Sequence, residues 1–267
     1  MRRILLLLLC LLPLLARSSD TTVVRHNIIH TRWFSHQEQI ERRVDIYVPG
    51  KYDRLKVKGD SCLPALYLIH GINGYEGSWQ DKGDAIDTLE AMIAAGRCEP
   101  MLLIMPDCNK WPFKQRPVDH GNLWKCVTHY GKLTHEHVLE YAISDLIDHI
   151  DTTYAVSECT IAGLSDGARM AANVANLRAD RIRSVGLFSP VLHKDQLPKD
   201  STQHYSVYIG TKDIFAPSGK RFHRRMARAG YAHRFVQFRG NHNWTMWRLC
   251  LSDFIGNGLK NQPKEHN

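Results

Sequence analysis

The order of apolar and polar positions predicts that strands and helices alternate along most of the chain. Short runs dominated by apolar residues predict buried strands, and apolar residues recurring at helical spacing predict helices that bury one face. This alternation is typical of a mostly parallel sheet with helices on both of its faces. Strands are expected at 65–69, 101–105, 160–162, 185–188, 205–209 and 235–238, and helices at 84–95, 138–150, 166–176, 218–229 and 244–255.

Two regions depart from the alternation. The β-rich stretches at 22–30 and 43–48 follow one another without a helix, which predicts an antiparallel edge to the sheet. Residues 107–134 show no clear periodicity, so they are predicted to form a lid or insertion beside a functional site. No repeat or linker divides the chain, and its 267 residues suit one large domain, expected at 19–267.

The first residues have the pattern of an export signal. Two arginines precede an apolar run at 4–15, and the small residues Ala16 and Ser18 stand before a polar stretch. This pattern is typical of a secretory signal peptide. A membrane anchor is the alternative, but the run is shorter than the about 20 residues of a span, and Pro13 interrupts it. We predict a signal peptide at 1–18 and a secreted or periplasmic protein with no later membrane segment.

Composition narrows the function classes without choosing one. The chain is 43% hydrophobic and 23% charged, which is ordinary for a globular protein. Its net charge of +8 favours acidic partners, but the basic residues are scattered and lack the interleaved aromatics of nucleic-acid-binding surfaces. We therefore expect neither a nucleic-acid partner nor a cofactor, and the oligomeric state is left open.

Removal of the signal would leave six of the seven cysteines. An even number in an exported protein permits disulfides, and Cys108 and Cys126, which bracket a loop, are the best candidate pair. Their number is low for a chain of this length, so it is at least as compatible with free cysteines buried as small apolar residues as with disulfides. The set Cys108, His120, Cys126 and His129 is a possible metal site, but it lacks paired C-x-x-C spacing, so no metal is expected.

The most informative motif is Gly-Leu-Ser-Asp-Gly at 163–167, between a predicted strand and a predicted helix. This G-x-S-x-G context is typical of a nucleophile elbow, a turn so tight that small residues must stand two positions before and after the serine. A glycine-rich turn that opens a helix is the alternative. The flanking elements favour the elbow, with Ser165 as a nucleophile at the carboxyl edge of the sheet.

A serine hydroxyl needs a base to take its proton, and the base needs an acid to orient it. Among fifteen histidines, His242 lies in the loop between the last predicted strand and the last helix. Asp213 follows the strand predicted at 205–209, on the same edge of the sheet. The order Ser165, Asp213, His242 is that of α/β-hydrolases. We therefore predict that these residues form a catalytic triad.

The predicted chemistry also needs donors for the negative oxygen of a tetrahedral intermediate. One is expected to be the backbone N–H of Asp166, which follows the nucleophile. The other is expected from the loop after the strand that ends near His70, with Ile72 as the candidate. His70 itself is interpreted as shaping this loop and not as the base.

These motifs together resemble the putative-esterase family, over about residues 43–254. That family includes S-formylglutathione hydrolases, feruloyl esterases, enterochelin-type esterases and mycolyltransferases. The resemblance implies an α/β-hydrolase fold with about eight strands, and it supports the roles given above to Ser165, Asp213, His242 and Ile72. It rests on His-Gly-Ile-Asn-Gly at 70–74 with Trp79, Met-Pro-Asp at 105–107, Gly-Leu-Ser at 163–165, Gly-Thr-Lys-Asp at 210–213 and His-x-Trp-x-x-Trp at 242–247.

Asp166 departs from this family pattern, in which methionine commonly follows the nucleophile. A carboxylate beside the oxyanion site would disfavour anionic acyl groups or perturb Ser165. We expect instead that the side chain turns outward and caps the helix, since acidic residues are common at helix starts. Asn-Trp-Thr at 243–245 is a formal glycosylation sequon, which we expect to be unmodified because a glycan would obstruct the adjacent base.

The expected function is that of a secreted serine carboxylic-ester hydrolase that works through an acyl-enzyme. The export signal favours external substrates, such as feruloyl or acetyl esters of carbohydrate, over S-formylglutathione in the cytosol. An acyltransferase would use the same triad, and a peptidase on the same fold is a further alternative. The alternative outside the enzymes is a binding protein that has the hydrolase fold but no catalytic activity. The departure from the family pattern at Asp166 keeps this alternative open.

Overall fold

The computed structural model describes residues 27–50, 62–109, 138–192 and 196–259. Within these residues one sheet contains eight strands, which supply the scaffold for every candidate site residue. They are β1 (Ile28–Ser35), β2 (Ile40–Tyr47), β3 (Leu63–Ile69), β4 (Leu102–Pro106), β5 (Val156–Leu164), β6 (Ile182–Phe188), β7 (His204–Gly210) and β8 (His233–Phe238).

The strands are ordered β1-β2-β4-β3-β5-β6-β7-β8 across the sheet. The pairs β1–β2 and β2–β4 are antiparallel, and all pairs from β4 to β8 are parallel. The predicted mostly parallel sheet with an antiparallel edge is therefore confirmed. Because β3, β5, β7 and β8 run in the same direction, the loops that follow them meet at one edge of the sheet.

Helices cover both faces of this sheet, as the alternation predicts. They are α1 (Ser78–Asp81), α2 (Ala85–Ala94), α3 (Val138–Thr153), α4 (Asp166–Leu177), α5 (Ala216–Arg228) and α6 (Trp244–Asp253), which continues into a π-helical turn at Phe254–Gly258. The short helix α1 was not predicted, because four residues are too few to show helical periodicity.

The core consists of two apolar layers, one on each face of the sheet, because successive residues of a strand face opposite sides. In β3, Ala65, Tyr67 and Ile69 share a layer with α3, α4 and α5. Leu66 and Leu68 share the other layer with α1, α2 and α6. Both sides of the inner strands are thus buried, which explains why these strands are continuous apolar runs in the sequence.

The predicted end of the first strand is wrong. The described strand runs over Ile28–Ser35, whereas the prediction ended at residue 30, and residues 22–26 lie outside the described residues. At this edge of the sheet the buried Trp33 and Ser35 alternate with exposed residues. A half-exposed edge strand follows a period of two and contains polar residues, so its second half does not stand out as an apolar stretch in the sequence.

Several predictions concern residues that the structure does not describe. The signal peptide at 1–18 lies wholly outside the described residues, and of the lid or insertion at 107–134 only 107–109 is described. The extent of the single domain therefore also stays a prediction. Within the described ranges, no helix is long and apolar enough to span a membrane.

Cys108, at the end of β4, is a buried free thiol whose predicted disulfide partner Cys126 lies outside the described residues. Burial raises the pKa of the Cys108 thiol well above its ordinary value, so the thiol is neutral. Cys159 and Cys250 are likewise buried and free. These three residues fit the alternative interpretation of cysteines as small apolar core residues.

Candidate active site

The turn between β5 and α4 places Ser165 in a backbone conformation that non-glycine residues rarely adopt. Its φ is 54° and its ψ is −117°, and α4 begins at the next residue, Asp166. Two hydrogen bonds hold the turn: the Ser165 N–H donates to the carbonyl of Phe188 over 2.9 Å, and the Ala168 N–H donates to the carbonyl of Ser165 over 3.2 Å. This strained strand-to-helix turn has the geometry of a nucleophile elbow.

Glycines surround the turn because backbone passes against backbone there. A Cβ on Gly163 would collide with the carbonyl of Gly167, and a Cβ on Gly167 would collide with the carbonyl of His70. A Cβ on Gly71 would lie 2.7 Å from the side chain of Leu164 and 3.4 Å from the Cβ of Ser165. The loop after β3 is therefore in direct contact with the elbow.

The structure brings Ser165, His242 and Asp213 together. His242 Nε2 lies 3.0 Å from Ser165 Oγ, and His242 Nδ1 lies 3.1 and 3.0 Å from the two carboxylate oxygens of Asp213. The carboxylate can only accept, so Nδ1 carries the proton and Nε2 is left as an acceptor for the serine hydroxyl. The arrangement can therefore deprotonate Ser165 and stabilise the imidazolium that results.

Asp213 is nearly inaccessible, with 5% of its surface exposed. Burial alone would raise the pKa of this carboxyl. Hydrogen bonds from His242, from the hydroxyl of Ser189 and from the backbone N–H of Phe215 outweigh burial and hold the pKa below its ordinary value. Asp213 is therefore ionised at neutral pH and suited to orient an imidazole.

Ser189, which was not predicted as a site residue, supports the candidate acid from behind. Ser189 follows β6, is 1% exposed and has a φ of 50°. Its hydroxyl oxygen accepts a hydrogen bond from Trp247 Nε1 over 2.9 Å, and its proton is then available to Asp213. The sequence does place Ser189 directly after a strand that ends at the edge of the sheet where the site lies. Many other polar residues also follow such strands, so this placement does not single it out.

Aromatic rings enclose the candidate base. The ring of His242 packs edge-on against Phe215 and Trp247, each with a centroid distance of 4.9 Å. Trp247 in turn packs against Trp244, which contacts Trp79 of α1. The His-x-Trp-x-x-Trp motif thus joins α6 to α1 and fixes the imidazole through packing as well as through hydrogen bonds.

His70 shapes the loop that holds the candidate oxyanion donor Ile72. The backbone N–H of Cys108 donates to His70 Nε2 over 2.9 Å, so this nitrogen is unprotonated and Nδ1 carries the proton. Nδ1 then donates to the carbonyl of Gly71 over 2.7 Å. Because a trans peptide plane points its C=O and N–H in opposite directions, this bond also fixes the direction of the Ile72 N–H.

The carboxylate of Asp166 turns along α4 and does not cap the helix as predicted. It accepts a hydrogen bond from Arg169 Nε over 2.9 Å, and Arg169 also pairs with the buried Glu140 of α3 over 2.9 Å. A buried guanidinium is strongly favoured to share two carboxylates, and Arg169 supplies a stronger partner than a backbone N–H. The backbone N–H of Asp166, the other candidate oxyanion donor, remains at the elbow.

Two further predictions have partial outcomes. The side chain of Asn243, in the predicted unmodified sequon, caps α6 by accepting from the Met246 N–H over 3.1 Å. Whether Asn243 is glycosylated stays a prediction. Among the described residues no three His, Cys, Asp or Glu side chains are grouped so as to hold a metal, and His120, Cys126 and His129 lie outside those residues.

The sheet order and the turn at Ser165 define an α/β-hydrolase. The profile of the family described as "Putative esterase" matches residues 35–213, about two thirds of the chain. The chain belongs to this family. An endo-1,4-beta-xylanase/feruloyl esterase of Xylanibacter ruminicola is 25% identical over 231 residues, which are 84% of this chain; the chain spans only 30% of that relative's length.

Solved structures support the fold independently of sequence. A ferulic acid esterase of the anaerobic fungus Anaeromyces mucronatus superposes with a TM-score of 0.72 at 19% identity, covering 92% of this chain and 96% of the other. An S-formylglutathione hydrolase of Staphylococcus aureus superposes with a TM-score of 0.64 at 16% identity, covering 86% and 95%. The predicted α/β-hydrolase fold is therefore confirmed.

The close packing of the elbow predicts that Gly167→Ala is strongly destabilising. Alanine normally stabilises a helix by about 1 kcal/mol relative to glycine, but here its Cβ would meet the rigid backbone of His70. We expect the free energy of unfolding in urea to fall by about 2 kcal/mol. Gly50→Ala is the matched control, because a Cβ there has open space. Equal stability of the two variants would contradict this account of the elbow.

The hydrogen bonds behind the candidate acid predict that Ser189 and Trp247 act as one unit. Ser189→Ala removes a hydrogen bond to the charged Asp213 and should lower kcat for a simple ester about tenfold. Trp247→Phe should have a similar effect, because it removes the donor that orients the Ser189 hydroxyl. The double variant should lose little more than either single variant. Ser184→Ala, a buried hydroxyl at the other end of β6, is the control. Losses that simply add would show that the two residues act separately.

Proposed function

We propose that this chain is an exported serine esterase that hydrolyses acylated carbohydrates or phenolic esters through an acyl-enzyme, with Ser165, His242 and Asp213 as its triad. The observation that carries the proposal is the continuous hydrogen-bonded path from Ser165 Oγ through His242 to the buried Asp213. A binding protein would gain nothing from a strained serine whose proton acceptor is already in place.

In the first half of the reaction, His242 Nε2 takes the proton of Ser165 as the hydroxyl oxygen attacks the ester carbonyl. The negative charge that develops on the carbonyl oxygen is stabilised by the backbone N–H groups of Ile72 and Asp166. The imidazolium then protonates the departing alcohol, leaving the acyl group on Ser165. In the second half, water attacks the acyl group while His242 Nε2 takes its proton, and the imidazolium then protonates Ser165 Oγ as the acid product leaves. Asp213 stabilises the imidazolium in both halves.

Two lines of support point to the substrate class. The name of the Xylanibacter ruminicola relative joins a xylanase to a feruloyl esterase, and the Anaeromyces mucronatus enzyme was solved in complex with ferulic acid. The predicted export signal adds that the substrate lies outside the cytoplasm. Feruloyl or acetyl esters of plant-type polysaccharides agree with the names of these relatives and with a substrate outside the cytoplasm.

The proposal predicts that an active-site fluorophosphonate labels the wild-type protein at Ser165. Ser165→Ala should abolish labelling and lower kcat for p-nitrophenyl acetate by three or more orders of magnitude, and His242→Ala should act similarly. Asp213→Asn should retain the fold and lose about four orders of magnitude in kcat, because the imidazole would adopt the wrong tautomer.

His223→Ala is the matched control, because this histidine belongs to α5 and contacts His233 and not the triad. Labelling of Ser165→Ala at the wild-type level would overturn the assignment of the nucleophile. A folded wild-type protein that neither reacts with the probe nor hydrolyses any ester would favour the binding-protein alternative.

A panel of esters tests the substrate class. We expect kcat/KM for methyl ferulate or acetylated xylan to exceed that for long-chain p-nitrophenyl esters, because the proposed substrates are small acyl groups on sugars. Product analysis in the presence of excess free sugar separates hydrolysis from acyl transfer, since only a transferase forms new sugar esters. A preference for long-chain esters would contradict the proposed substrate class.

A further inference from the structure

A cavity of about 180 Å³ opens beside the triad at the start of α5, and the triad does not use it. Two of its lining residues, Ile214 and Phe215, directly follow Asp213. The ring of Phe215 also packs against the imidazole of His242 at a centroid distance of 4.9 Å. A molecule in this cavity would therefore be separated from the candidate base by a single aromatic ring.

The size of the cavity suits one six-membered ring. A cavity of about 150 Å³ in another protein binds benzene, and a sugar ring is of similar dimensions. Its wall is apolar on one side, where Val191, Leu192 and Pro217 line it, and Ile214 stands 63% exposed at the rim. An apolar wall of this kind packs against the face of an aromatic or sugar ring.

The other side of the cavity is cationic. Arg221 and Arg225 line it from α5, where their spacing of one helical turn puts both guanidinium groups on the same face. None of the described residues that line the cavity is acidic. Within the described ranges of the chain, neither arginine forms a salt bridge, whereas Arg169, Arg178, Arg181 and Arg234 all do. Two guanidinium groups on one face form a ready partner for a carboxylate.

The position of the cavity assigns it to the alcohol part of the ester. His242 must protonate the departing alcohol, so that oxygen lies beside Nε2 and the alcohol extends from the histidine side of the site. Positive charge from Arg221 and Arg225 thus lies on the side of the site that takes the alcohol.

We propose that this cavity binds a carboxylate-bearing ring in the alcohol part of the substrate, a uronic acid unit being the carbohydrate of this class. The inference rests on the proposed esterase function and narrows it to esters on acidic sugars. Arg221 and Arg225 bind the carboxylate, and the apolar wall with Ile214 contacts the ring.

The test compares two esters that differ in charge alone. 4-(2-Acetoxyethyl)benzoate and 4-(2-acetoxyethyl)benzamide share the acyl group, a two-carbon linker that lets the ring extend past Phe215, and the ring itself, but only the first carries a carboxylate. We expect the wild-type ratio of their kcat/KM values, corrected for non-enzymatic hydrolysis, to favour the carboxylate ester. In the Arg221→Gln/Arg225→Gln variant that ratio should fall about fivefold, the upper end of the range for an exposed ion pair.

Arg224→Gln is the matched control. It removes the same charge from the same helix at an exposed position that does not line the cavity, so it should keep the wild-type ratio. D-Glucuronate should inhibit the wild type competitively, D-glucose should not, and the double variant should lose the difference. An unchanged ratio in the double variant, or an equal fall in the control, would overturn the proposal.

Failure of the proposed function itself gives a different result. If the wild type hydrolyses neither ester, binding of D-glucuronate is measured by calorimetry on the same three proteins. Binding that is lost only in the double variant would support the cavity proposal without the esterase function. Absence of binding to the wild type would overturn the cavity proposal as well.

Discussion

The structure depends on one steric constraint, the close contact of three pieces of backbone at the elbow. The end of β5, the first turn of α4 and the loop after β3 approach so closely that a Cβ on Gly163 or Gly167 would collide with backbone, and one on Gly71 would crowd the Leu164 side chain. The contact forces Ser165 to a positive φ, at a cost of about 1–3 kcal/mol for a residue of this kind. It also brings the loop of the candidate oxyanion donor against the nucleophile. The same packing therefore sets both the position of the Ser165 hydroxyl and the position of the candidate oxyanion site.

Around this contact, the buried polar side chains of Asp213 and His70 are paired so that each has one orientation. Asp213 is held by Phe215 and Ser189 from one side and by His242 from the other. His70 is fixed in one tautomer by a backbone donor and so fixes the peptide that follows it. Fully paired polar groups at low exposure are rigid, which is what preorganised catalysis requires. The site needs little rearrangement before it can react.

The features that could be predicted from the sequence were those with a local or periodic cause. The inner strands are continuous apolar runs because both of their faces are buried, and the elbow requires glycines at fixed spacing from Ser165. The rest depended on partners distant in sequence. Asp166 turns toward Arg169 because Glu140 of another helix completes the cluster, and Ser189 matters because Trp247 reaches it from α6. No local pattern encodes such contacts, so the helix cap predicted for Asp166 was wrong and the role of Ser189 was not predicted.

The most direct test of the account is to trap the acyl-enzyme. Wild-type protein turning over p-nitrophenyl acetate is quenched in acid, digested and analysed by mass spectrometry. The account predicts a single acetyl group on the peptide that contains Ser165, absent after the substrate is exhausted and absent from the His242→Ala variant. Turnover by the wild type with no acetyl group on that peptide, or with the acetyl group on another residue, would contradict it.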